Sequence, residues 1–178
     1  MNQYTTWLFG YGSLIWRPDF PYLERRVARI GGYARRFWQG SHDHRGTEEK
    51  PGRVVTLIEM PHALCTGMAY RLDEAVLSET FRHLDEREKN GYARETECLS
   101  FDNGENVSGL VYIATEDNFA YMGESSPQQL ADIIATSRGR SGTNSEYLFQ
   151  LASALRKFNV DEPHVFDLET RVRTLLDH

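Results

Sequence analysis

Trp7-Leu8-Phe9-Gly10-Tyr11-Gly12-Ser13-Leu14-Ile15-Trp16 runs from bulky apolar residues straight into two glycines and a serine. Trp7–Tyr11 predicts a strand, and glycines inside or beside a strand mark bulges or places where backbones approach closely. The same signature recurs outward along the chain. Short strands are expected at Arg26–Trp38, interrupted by Gly31-Gly32, and at Arg53–Glu59, Thr66–Leu72, Tyr92–Phe101 and Val107–Thr115, with turn signals between them. A sheet bent this often closes on itself more readily than it lies flat, so a compact barrel-like sheet is the expectation.

Helices follow the strands. Ser126-Pro127 is a capping residue before Pro at the first helical position, and Leu130, Ile133, Ile134 and Ser137 recur at helical spacing. Thr143 with Glu146 three residues on starts another helix, whose Leu148, Leu151, Leu155 and Phe158 share a side. Val165, Leu168, Val172 and Leu175 mark a last one. No internal repeat or linker separates the halves, so residues 1–178 are expected to form a single domain of α+β class with helices packed on the barrel. Tyr4, Trp7, Phe9, Tyr11, Trp16, Tyr33, Phe37 and Trp38 are core candidates at strand spacing.

With 178 residues, 40% hydrophobic and 26% charged, the chain is long and apolar enough for a real core. A formal charge of -6 argues against nucleic acid or an anionic membrane held by bulk electrostatics. Of the 20 basic residues 17 are Arg and 3 are Lys, which is either a compositional bias or a supply of carboxylate-gripping forks. Cys65 and Cys98 make neither a disulfide scaffold nor a zinc site. No run of apolar residues suits a signal or membrane segment, and a reduced cytoplasmic setting is expected. His42-Asp43-His44 lacks a third ligand nearby and reads as a polar loop, so no metal is expected. His164, next to Pro163, reads as a cap or surface residue.

A helix from about Glu74 to Arg87 interrupts the strands. Its apolar Leu77, Phe81 and Leu84 continue at the same spacing to Glu88, which places that carboxylate on the core-facing stripe and away from Asp85, Glu86 and Lys89. A carboxylate there, near a helix C-terminus and partly buried, has its pKa pushed up toward a proton carrier's range. The alternative is a solvated charge run ending at an Asn90-Gly91 cap. The turn at Gly10–Leu14 is likewise open to two readings: a structural turn, or a cradle of backbone N–H groups for an anion or developing oxyanion. It matches neither a dinucleotide fingerprint nor a Walker loop.

The chain resembles the ChaC family of glutathione-specific gamma-glutamylcyclotransferases over nearly its whole length. The marks are Phe9–Phe20, Arg35–Ser41, His44-Arg45-Gly46, Pro51–Leu57, Arg87-Glu88-Lys89, Gly91-Tyr92 and Gly139–Leu148. The resemblance implies a gamma-glutamylcyclotransferase-like small mixed β-barrel with surrounding helices, and conversion of glutathione to 5-oxoproline and cysteinylglycine without a cofactor. It implies that Glu88 is catalytic and that Tyr11, Gly12, Ser13, Leu14 and Tyr147 hold substrate. Arg17 and Arg53 are the arginines proposed to meet substrate carboxylates. Family members often carry an aromatic residue where Glu86 stands and a glycine where Asn90 stands, so the pocket rim is expected to differ here. Other gamma-glutamyl amines as substrates, or a non-catalytic binding protein on the same fold, are the competing expectations. The oligomeric state is left open, a monomer being compatible.

Overall fold

The bends read from the glycines close a barrel. A computed structural model describes residues 5–89 and 91–178, so Tyr4 and the Asn90 half of the expected cap lie outside the described residues. Five strands, β1 (Trp7–Gly10), β2 (Tyr22–Ser41), β3 (Gly52–Leu72), β4 (Tyr92–Phe101) and β5 (Asn106–Ala114), close in the order β1-β3-β2-β4-β5. Every pairing is antiparallel except β1 with β5, which is parallel and seals the barrel. Gly67 on β3 shows why the neighbouring β1–β3 pairing needs glycine: a Cβ there would stand 2.3 Å from the Gly10 carbonyl oxygen and 2.7 Å from the Phe9 ring.

Two expectations about the strands are corrected. Arg53–Glu59 and Thr66–Leu72 are the two ends of one strand, β3, and the expected Arg26–Trp38 lengthens to Tyr22–Ser41. The ladder runs Gly31 with Leu64 and then Tyr33 with Glu59, which leaves residues 60–63 outside the pairing. Pro61, which signals a break, is tolerated because it falls in this irregularity, where no ladder N–H is asked of it.

The helices are α1 (Leu77–Arg87), α2 (Pro127–Thr136), α3 (Asn144–Lys157) and α4 (Pro163–Leu176). A 3-10 turn, Glu74–Val76, capped by Asp73, leads into α1. Ser126 and Gln129 form a full capping box on α2, and the Thr143 hydroxyl accepts from the Glu146 N–H at the start of α3. Between α2 and α3 lies a minimal hairpin of β6 (Arg138–Gly139) and β7 (Gly142–Thr143). α2, α3 and α4 pack together, and α2 and α3 cover β3. Leu148, Leu151, Leu155, Val165, Leu168 and Val172 are buried as their spacing predicts, whereas Leu175 is exposed in the last turn of α4. Trp7, Phe9, Tyr11 and Phe37 enter the core, with Trp16, Tyr33 and Trp38 packed on it.

His164 corrects another expectation. It is mostly buried: its Nε2 accepts the Phe37 N–H at 3.0 Å, and burial pushes its pKa down to about 4. Cys65 is buried and Cys98 exposed, both as free thiols. No described helix is long and apolar enough to cross a membrane.

Candidate active site

The chain leaving β1 folds into a 3-10 turn, Ser13–Ile15, because the Gly12 carbonyl accepts from Ile15 N at 3.0 Å and the Ser13 carbonyl from Arg17 N at 2.7 Å. Three side chains then pin this turn from different sides. Tyr70 Oη donates to the Leu14 carbonyl at 2.6 Å, and Arg35 Nε donates to the Tyr11 carbonyl at 2.8 Å. Arg87 Nη2 donates to Ser13 Oγ at 2.9 Å while its Nη1 reaches the Arg17 carbonyl at 2.8 Å. The turn is therefore fixed before any ligand arrives.

Glu88 meets the turn from α1. Its N–H donates to the Leu84 carbonyl at 2.8 Å, closing the last turn of the helix, so the apolar stripe of Leu77, Phe81 and Leu84 does carry the carboxylate inward. The Glu88 side chain is 16% exposed, and the nearest cation, Arg87 Nε, stands 3.9 Å from Oε1. Burial raises its pKa above the ordinary carboxylate range, and the Arg87 charge opposes part of that rise. Among the described residues no donor hydrogen-bonds the Glu88 carboxylate, which leaves its oxygens free to take a proton.

Three phenols complete the enclosure. Tyr147 on α3 accepts the Val55 N–H at 3.3 Å and is braced by the rings of Trp16 and Phe37 at 5.3 and 5.9 Å. Tyr92 donates to the Val55 carbonyl at 3.0 Å, and Tyr11 donates to the Tyr112 carbonyl. Burial, reinforced by the Glu88 charge, pushes the Tyr147 phenol up to about 12 and raises those of Tyr11 and Tyr92 well above the ordinary phenol value. All three stay neutral at physiological pH, so Glu88 is the one group among them able to exchange a proton there.

These residues surround an inner recess of about 50 Å³, lined by Tyr11, Gly12, Ser13, Leu14, Glu88 and Tyr147 together with Phe9, Val55, Tyr92 and Tyr112. Five substrate-holding candidates from the sequence and the candidate catalytic residue thus come together. Gly12 is a necessity of the space: a Cβ there would stand 2.9 Å from Tyr147 Oη.

Ser13, Glu88, Tyr92 and Tyr147 also line an outer cleft of about 390 Å³, so the recess is the inner end of that cleft. Arg17, Arg45, Arg87, Lys89 and Arg140 line it against Asp19, Asp43, Glu86 and Glu88, a local excess of cations in an acidic protein. Arg17 is thus on the wall of the cleft. Arg53 is not: neither cavity is lined by it, and its backbone N–H and C=O are clamped by the Asn144 side chain at 2.7 and 2.8 Å, where β3 packs against α3.

The loop at His42-Asp43-His44 folds over the cleft. The Asp43 and His44 carbonyls accept from Arg140 N and Ser141 N at 2.9 and 3.0 Å, and His44 Nδ1 lies 2.7 Å from Ser141 Oγ. No group of three His, Cys, Asp or Glu side chains among the described residues could hold a metal ion. Sequence reasoning assigns no role to Arg45, Arg87, Tyr92, Arg140 or Ser141. All five lie within the family-like blocks, and that is the signal that could have found them. Glu86, the departure from the family pattern, does stand on the cleft wall.

The family profile for ChaC-like proteins matches residues 6–175. The chain belongs to the ChaC-like family. Among relatives of this ChaC-like protein, glutathione-specific gamma-glutamylcyclotransferase 1 of Danio rerio is 45% identical over 170 residues, covering 92% of this chain and 86% of the relative. The glutathione-specific gamma-glutamylcyclotransferase of Schizosaccharomyces pombe is 38% identical over 186 residues, covering 94% and 92%. A crystal structure of the yeast gamma-glutamyl cyclotransferase specific to glutathione superposes with a TM-score of 0.88 at 30% identity, covering 96% of both chains. The gamma-glutamylcyclotransferase-like α+β barrel expected from the sequence is the fold observed.

Proposed function

We propose that this ChaC-like protein, acting as one domain over residues 1–178, converts glutathione to 5-oxoproline and cysteinylglycine. The observation that carries the reading is the Glu88 carboxylate, buried in the same recess as the Gly12–Ser13 turn and opening onto a cationic cleft. The named activities of the Danio and Schizosaccharomyces relatives support it.

The chemistry follows from the substrate. Its γ-glutamyl head enters the recess and its Cys-Gly portion lies along the cleft. Glu88 takes a proton from the α-ammonium, exposing the amine as a nucleophile. The amine nitrogen bonds to the side-chain carbonyl carbon, closing a five-membered lactam, and the bond from that carbon to the cysteine nitrogen breaks. The protonated Glu88 passes its proton to the leaving nitrogen, then takes the second proton that the attacking nitrogen must shed on becoming the lactam N–H and hands it to the released amine, which departs as an ammonium; Glu88 ends ionised, and atoms and protons balance without water. Negative charge on the attacked oxygen is met by backbone N–H groups of the Gly12–Ser13 turn, each such donor contributing roughly 2.7–4 kcal/mol. Holding amine and carbonyl together supplies on the order of 7–11 kcal/mol more in favourable systems. The free thiols Cys65 and Cys98 agree with a cytoplasmic location, where glutathione is the reduced tripeptide.

Following 5-oxoproline from glutathione and the purified protein tests the proposal, and absence of the lactam overturns it. Glutathione should outpace γ-glutamyl amines that lack the distal carboxylate; equal turnover would instead make the protein a general γ-glutamyl cyclotransferase. Arg17→Ala and Arg140→Ala should each raise KM for glutathione by about 3- to 10-fold while kcat stays within about 2-fold, since the charged contact is made alike in ground and transition states. Initial rates against glutathione concentration check this.

A second expectation concerns pH. Glu88 must be ionised to act as the base, so kcat/KM falls as pH drops through its raised pKa. Arg87 holds that pKa down, hence Arg87→Met should move the acid limb to higher pH. An unmoved limb in a kcat/KM profile would detach Arg87 from Glu88.

A further inference from the structure

Arg35 is the largest fully buried side chain among the described residues, 1% exposed in the barrel wall on β2. A guanidinium placed there is expensive unless its donors are used. Nε donates to the Tyr11 carbonyl at 2.8 Å, Nη2 donates to the Thr66 carbonyl on β3, and Nη1 pairs with Glu162, just before α4. One of those acceptors is the first residue of the substrate turn.

We infer that Arg35 is a positioning residue, whose hold on the Tyr11 carbonyl aims the Gly12 N–H into the recess as a donor to the attacked carbonyl oxygen. The C=O and N–H of a trans peptide point in opposite directions, and the described chain contains no cis bond. Arg35 lies outside the recess and Gly12 lines it. With the Tyr11 oxygen bound to the guanidinium, the Gly12 N–H of the same peptide faces the other way, toward substrate. Glycine is the residue whose flanking peptide rotates most easily. A flipped Tyr11–Gly12 peptide would offer the substrate an acceptor where a donor is needed. Arg35 opposes that flip, and its charge polarises the peptide so that the N–H donates more strongly. Because the orientation is set in the folded protein, it costs nothing at the moment of reaction.

The inference rests on the lactam-forming reading of the recess, and the test separates the two. The wild type is assayed first for 5-oxoproline from glutathione, then three variants are compared for kcat, KM and melting temperature. Arg35→Lys keeps the charge but cannot span three acceptors; its kcat should fall about 100-fold with KM within about 3-fold. Arg35→Met/Glu162→Met removes the ion pair as a unit, an exchange that leaves no unpaired buried charge and so preserves folding, and should lose kcat similarly. Glu162→Gln leaves both carbonyl bonds intact and should keep kcat within about 2-fold even if it melts earlier. Wild-type kcat in a folded Arg35 variant, or an equal loss in Glu162→Gln, overturns the inference. If the wild type itself yields no lactam, the functional reading fails alone. The Gly12 amide resonance in a ¹⁵N spectrum then decides: a shift between wild type and the double variant supports the positioning, and coincident resonances overturn it.

Discussion

Glu88→Gln will leave a folded protein that forms 5-oxoproline from glutathione at least about 1000-fold more slowly, with most of the loss in kcat. Glutamine keeps the shape of the side chain and removes the exchangeable proton, and every proton transfer of the proposed reaction runs through this one oxygen pair. No neighbour can take over. Tyr11, Tyr92 and Tyr147 are buried phenols with pKa values raised by burial and by Glu88 itself, so none is a base near neutrality. Arg87 is a cation 3.9 Å away and donates only. Stability should not follow activity downward. The charge removed is one that burial already disfavours, as the raised pKa records, and the helix-closing bond from Glu88 N to Leu84 O belongs to the backbone. A variant that melts with the wild type and turns over about 1000-fold more slowly satisfies the expectation; one with full turnover removes Glu88 from the mechanism.

The inward placement of Glu88 is legible in the sequence for a physical reason. Helical periodicity is local: Leu77, Phe81 and Leu84 fix one stripe, and the next position on it must face the same way. Capping is equally local, which is why Ser126 and Thr143 mark helix starts correctly. Pairings across the chain are a different matter. The parallel seam between β1 and β5 joins residues about a hundred positions apart, and nothing in Trp7–Gly10 specifies Gly109–Val111 as its partner. Arg53 is misplaced by sequence reasoning for a related reason. Its surroundings depend on the register shifts of the β2–β3 ribbon and on Asn144, none of which a strand pattern encodes. Arg35 is invisible to hydrophobic patterning, which places charged residues outside, and only the three acceptors gathered around it show why this one is inside. The excess of Arg over Lys thus has two structural uses here, in the cleft lining and in the barrel wall, which composition alone could not separate from bias.

Gly12→Ala should cost kcat/KM about 100-fold or more while the protein still folds. The added Cβ would stand 2.9 Å from Tyr147 Oη and 3.0 Å from Val55 Cγ2, both inside ordinary contact distance. The conflict is with side chains, and Tyr147 must give way, loosening its 3.3 Å contact with Val55 N. Overpacking of this kind costs roughly 1–3 kcal/mol, within the several kcal/mol a domain can spare. Activity suffers more because the methyl occupies part of a recess of only about 50 Å³, where the amine and carbonyl of the γ-glutamyl head must meet. Tyr147→Phe separates the two effects. In that background the clash partner is gone, so the melting penalty of Gly12→Ala should shrink, a non-additivity expected of residues in contact. The activity penalty should persist, because the methyl still fills the recess. Full turnover in Gly12→Ala, or a melting penalty unchanged by Tyr147→Phe, would show that the turn does not face substrate against Tyr147 as the geometry requires.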